Sequence, residues 1–159
     1  MSPLVFLAAL LVAGNGRCVL AAGEPGQPHE VKNAQPLTTL AVRLRKMLGI
    51  QVAIRDGTKE LQQVIERIPG KKPRPEHERT ALMLAAREKV IVGEATRAID
   101  LLKGEEAGTA FAEVFREVRK DMERLRQRLG RADVGADTQA LEQNLIDSLE
   151  EMITALKSR

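Results

Sequence analysis

The chain reads as an all-α protein, an antiparallel bundle of about four helices. Three observations predict this. Apolar residues recur at steps of three and four in four separate stretches, and proline and glycine fall between those stretches. The third is composition: 159 residues hold three Phe, one Cys, and no Trp or Tyr. The apolar residues are aliphatic and the polar ones rich in Glu and Arg, a mixture that favours helix over strand.

The first helix is expected over 36–68. Pro36 suits a first helical position, where its missing N–H has no partner to lose. Beyond it two rows keep seven-residue spacing: Leu37, Leu44, Gln51, Thr58, Ile65 and Leu40, Met47, Ile54, Leu61, Ile68. That is the spacing of a coiled-coil seam. It keeps phase across Gly49 and Gly57, although each glycine costs about 1 kcal/mol inside a helix. One long helix follows, able to project beyond a bundle, with Asp56–Gly57 the place where a bend would fall. Pro69–Gly70 ends it.

The second helix is expected over 76–103. Pro75 precedes it and Glu76 and Glu78 sit where acids offset the positive end of the macrodipole. Its stripe is Ala81, Leu84, Ala85, Ile91, Val92, Ala95, Ile99 and Leu102, and Gly104 suits the residue past its end. The third is expected over 109–129, capped by Thr109, with Phe111, Phe115, Val118, Met122, Leu125 and Leu129 on one face. Its other face pairs Glu113 with Arg116, Glu117 with Lys120 and Asp121 with Arg124, a solvated surface rather than a site. Gly130 closes it. The fourth is expected over 138–157, capped by Asp137 or Thr138, with Leu141, Leu145, Leu149, Met152 and Leu156 as its stripe and Ile146 and Ile153 widening it. Short joints favour antiparallel neighbours.

Ahead of the helices, 1–22 has the form of a signal peptide. Pro3–Ala13 is an apolar run too short to span a bilayer, and Val19–Leu20–Ala21–Ala22 offers a cleavage site near Ala21 or Ala22. Cleavage there would remove Cys18 and leave no thiol. Asn15, Gly16 and Arg17 argue against a lipid-modified Cys18, and a retained anchor is the other reading. Residues 23–35, with Pro and Gly and no periodicity, read as a flexible N-terminus. Residues 36–159 read as one helical domain, and the protein is expected to be exported, periplasmic or extracellular.

Few side chains suit chemistry. His29 and His77 have no ligand-spaced partner, so no metal is expected. The late Ser148 and Ser158 lie on no nucleophile turn, and no phosphate-binding glycine loop precedes a helix. No enzyme activity, cofactor or small-molecule substrate is expected. The positive hint is charge. Residues 36–75 hold nine basic and three acidic side chains, whereas 132–159 hold two basic and six acidic. Arg43, Arg45, Lys46, Lys71, Lys72 and Arg74 are candidate contacts for an anionic lipid or wall polymer, making any membrane association peripheral. Without stacking aromatics, nucleic acid is not an expected partner.

Two stretches, REKVIVGEATRAIDLLKGEEAGTAFAEVFREVRKDM and RLGRADVGADTQALEQNLIDSLEEMITALK, span most of Arg87–Lys157. This region resembles the C-terminal part of a group of exported, all-helical bacterial proteins with no assigned activity. GTKEL at Gly57–Leu61 is a weaker echo. The resemblance implies export and a helical build and brings no catalytic residues. The expected role is a non-catalytic structural or interaction module that meets an unknown protein partner or associates with itself. Attachment to an anionic cell-surface component through 43–74 is the alternative.

Overall fold

The computed structural model describes residues 31–103 and 109–158, with side chains from residue 38 onward. The expected signal, 1–22, and the joint at Gly104–Gly108 lie outside the described residues. The described chain is four helices: α1 (Val31–Arg67), α2 (Pro75–Leu101), α3 (Thr109–Leu129) and α4 (Ala136–Lys157). No strand occurs among the described residues.

The helices form a ring in chain order. α2 packs on α1 and α3, α4 packs on α1 and α3, and neither diagonal pair comes into close backbone contact. Cross-contacts fix the directions. Arg43 reaches Glu94 while Gly57 lies under Leu84, so α1 and α2 are antiparallel. Arg55 meets Gln143 and Thr58 meets Glu142, so α1 and α4 are antiparallel as well. α2 and α3 pack most extensively; α3 and α4 pack least.

The seven-residue rows of α1 are its buried seam. Leu40, Leu44, Met47, Gln51, Ile54, Thr58, Leu61 and Ile65 are all buried, and the helix runs unbroken through Gly49 and Gly57. Its start differs from expectation. α1 begins at Val31, so 31–35 is helical rather than a flexible lead, and Pro36 marks no boundary. A proline inside a helix removes one backbone bond and strains the turn before it, without forbidding that turn. At Gly57 a Cβ would come within 2.9 Å of Leu84 Cδ2, so the missing side chain lets α2 approach the α1 backbone.

α2 starts at Pro75, one residue before the expected start, and ends at Leu101, two before the expected end; its N-cap is Arg74. His77 takes the capping role: its Nδ1 accepts the Arg74 backbone N–H at 3.1 Å. The α3 face is buried as its spacing requires, with Phe115 fully enclosed, and the three acid–base pairs form at 3.2, 2.6 and 3.1 Å. The α4 cap differs from expectation. Gly135 is the N-cap, and the Thr138 hydroxyl instead donates to the Asp133 carbonyl and accepts from Arg128 Nε. The buried row of α4 is correspondingly shifted to Thr138, Glu142, Leu145, Leu149 and Met152, leaving Leu141 and Leu156 half-buried. Gly130 does not supply the left-handed turn after α3; Ala132 does, at φ 55°.

Candidate functional site

Two features distinguish this bundle from a plain aliphatic one. The first is polar material in its interior. Gln51 and Thr58 on α1, Glu88 on α2 and Glu142 on α4 are each fully buried. Thr58 Oγ1 donates to Glu142 Oε1 at 2.6 Å. Both Glu88 oxygens, both Gln51 amide atoms and Glu142 Oε2 close no hydrogen bond. Burial pushes the Glu88 carboxyl from 4.5 up to about 8, with Gln51 opposing and the Glu142 and Glu123 carboxylates adding to the rise. Burial likewise pushes Glu142 up to about 7, against the Thr58 hydrogen bond and the charges of Arg55 and Lys59. A charge in a low-dielectric interior is costly, so these acids hold their protons well above the ordinary carboxylate range. The described residues contain no group of three or more His, Cys, Asp or Glu placed to hold a metal ion.

The second feature is the outer face of α2. Leu82, Met83 and Val90 are exposed large apolar side chains, Met83 at 63%. They form a ridge with a groove on either side. Toward α1 lies a groove of about 480 Å³ with Gly49, Ile50, Ala53 and Val90 in its walls and Arg45, Lys46 and Arg87 at its rim. Toward α3 lies one of about 350 Å³ with Leu82, Ala85, Ala86 and Gly130 in its walls and Lys89, Arg126 and Arg131 at its rim. From Arg79 to Arg97 the exposed charges of α2 are Arg79, Arg87, Lys89 and Arg97. Both acids in that stretch, Glu88 and Glu94, are buried. A third apolar groove opens where α3 and α4 part, lined by Ala110, Phe111, Val114, Met152 and Ala155.

The six candidate basic residues do not form one patch. Arg43 Nη1 donates to Glu94, Lys46 Nζ reaches the same carboxylate at 3.1 Å, and Arg97 adds a third pair at 3.0 Å. The Lys46 hydrogen bond, seconded by Arg43, holds Glu94 below its ordinary value despite burial. Arg45 is exposed at the groove rim. Lys71, Lys72 and Arg74 are exposed in the α1–α2 joint, about 30 Å further along α1 at 1.5 Å per residue. Two of the six thus serve packing, one belongs to the α2 face, and three form a separate cluster.

The α2 face was open to sequence reasoning through Leu82, Met83 and Val90, apolar residues that fall outside the helix's own stripe. Its charge was not, because a tally along the chain counts Glu88 and Glu94 as if they faced solvent.

Comparison with known proteins finds no matching family model, no similar curated protein and no similar solved structure. Among the described residues, no helix is long and apolar enough to cross a membrane.

Proposed function

We propose that the chain is an exported helical interaction module that acts by contact rather than by catalysis. The observation that carries this reading is the ridge of Leu82, Met83 and Val90, left in solvent by a helix whose inner row of Ala81, Leu84, Ala85, Ile91, Ala95, Ala98 and Ile99 is buried in the core. Exposed apolar residues gathered beside grooves mark interaction surfaces, whereas scattered ones do not. The resemblance of Arg87–Lys157 to exported helical proteins and the signal-like 1–22 support the location. N-terminal sequencing of protein recovered from the exported fraction should begin at Ala22 or Gly23.

Affinity capture with the full chain from the envelope of the source cells tests the role. A partner held by the wild type and lost from the M83S/V90S variant supports it. Turnover of any compound by the purified chain refutes it. Light scattering over a range of concentrations separates self-association from a foreign partner, since a strict monomer removes the former.

The anionic-surface reading retains Lys71, Lys72 and Arg74, which are exposed and make no ion pair among the described residues. Binding to anionic vesicles that falls steeply with salt, and is lost on neutralising these three, supports it. Binding unchanged by neutralisation removes it.

A further inference from the structure

We infer that the outer face of α2 is a docking surface for an acidic amphipathic helix of a partner protein. The inference rests on the reading of the chain as a contact module and names the class of partner.

Charge is the first argument. Burial of Glu88 and Glu94 leaves α2 from Arg79 to Arg97 with only cations exposed, and Glu94 takes up Arg97 of these. Among the described residues, Arg87 on one side of the ridge and Lys89 on the other make no ion pair, and neither do Arg45 and Arg131 across the two grooves. Four cations without an ion-pair partner among the described residues therefore bracket an apolar strip. Carboxylates along the flanks of an incoming segment complement that arrangement and fix its register.

Shape is the second. Leu82 to Val90 spans eight residues, about 12 Å or two helical turns. An apolar strip of that length suits anchors at steps of three, four and seven on a bound helix. The grooves on either side are concave and apolar-walled, so they accept side chains. A flat bilayer surface would leave both unfilled. A second copy fits poorly: two-fold pairing through α2 sets these cations against their own equivalents. The acidic α4 of another copy has already buried its apolar row in its own core.

Site-specific photo-crosslinking tests this with the full chain in its source cells. A photoreactive residue is placed at Met83 or Val90, and at Val114 in the α3–α4 groove as comparator. Crosslinked segments are sequenced by mass spectrometry. The inference expects adducts from Met83 and Val90 on a protein segment with excess Asp and Glu and apolar residues at helical steps. It further expects at least a tenfold loss of adduct in the R87E/K89E variant, whose helicity is checked by circular dichroism. Adducts on lipid, on another copy of this chain, or on a basic or neutral segment overturn it, and so do adducts indifferent to the charge reversal. Adducts from Val114 alone overturn it while leaving the contact module standing. No adduct from any position removes both.

Discussion

Replacing Glu88 with glutamine should make the protein more stable at alkaline pH and leave it nearly unchanged at pH 5. Glu88 is fully buried and neither of its oxygens closes a hydrogen bond. Its carboxyl is raised from 4.5 to about 8 by burial, opposed by Gln51 from α1 and reinforced by Glu142 from α4 and Glu123 from α3. A folded-state value above the unfolded one means that the fold binds the proton more tightly. The contribution is therefore complete below pH 4.5 and is lost as pH climbs toward 8. At about 1.4 kcal/mol per unit, the loss approaches 5 kcal/mol, a large share of the 5–15 kcal/mol typical of a domain. Glutamine keeps the shape and cannot ionise. Urea titrations at pH 5 and pH 8.5 measure the difference. With a slope of 1–3 kcal/mol/M, the variant's midpoint at pH 8.5 should lie about 2 M above the wild type's. At pH 5 the two should agree within about 0.5 M. The acid limb should be common to both, because Glu94, held low by Lys46, and Glu123, held low by Arg126, lose their stabilisation only as pH falls below 4.5. A wild-type midpoint that is flat from pH 5 to 8.5, or a glutamine variant weaker than wild type at pH 8.5, refutes the reasoning.

Four further substitutions probe the packing. Gly49→Ala should stabilise by about 0.5–1 kcal/mol, because nothing lies within 4 Å of the new Cβ, whereas Gly57→Ala should gain less or lose, because Leu84 must move; paired thermal melts read the contrast. Ala132→Gly should raise the melting temperature by a few degrees, since a left-handed alanine at φ 55° costs about 1 kcal/mol that glycine does not incur. Glu94→Gln should destabilise by about 1–3 kcal/mol in denaturant titration, because Arg43 and Lys46 lose a charged acceptor at the α1–α2 seam.

The helix pattern was legible wherever spacing is dictated by burial. The rows through Leu44 and Met47 in α1, and through Phe115 and Met122 in α3, coincide with the enclosed residues because only one face of each helix meets its neighbours. Boundaries were less legible where a local signal competed with packing. Pro36 resembles a start, but α1 extends N-terminal to it; Thr138 resembles a cap, but its hydroxyl turns back to Asp133. The buried acids were hidden by their chemistry. Glu88 stands four residues after Leu84 and three before Ile91, and Glu142 stands four after Thr138 and three before Leu145, so both occupy core positions by spacing. Residue type argues the other way, since unpaired carboxylates are seldom enclosed. In these two positions helix phase, set by many aliphatic neighbours, prevailed over the preference of one side chain for water.

The same phase connects the interior to the surface. With Ala81, Leu84, Ile91, Ala95 and Ala98 fixed against α1 and α3, Glu88 is carried into the core and Glu94 into the α1–α2 seam. Arg87 and Lys89, one step to either side of Glu88, are carried outward. A rotation of α2 that freed the Glu88 carboxylate would have to expose Leu84 or Ile91, each worth about 1.5–3 kcal/mol when buried. Such a rotation would also break the two pairs that reach Glu94 from α1, those of Arg43 and Lys46. At pH below 8 the proton on Glu88 is the smaller cost, so the helix keeps its phase and the carboxyl stays neutral. A cationic, apolar outer face on α2 is therefore a consequence of where its inner residues lie. Substitutions that leave the inner row intact should alter what this face binds without altering the fold.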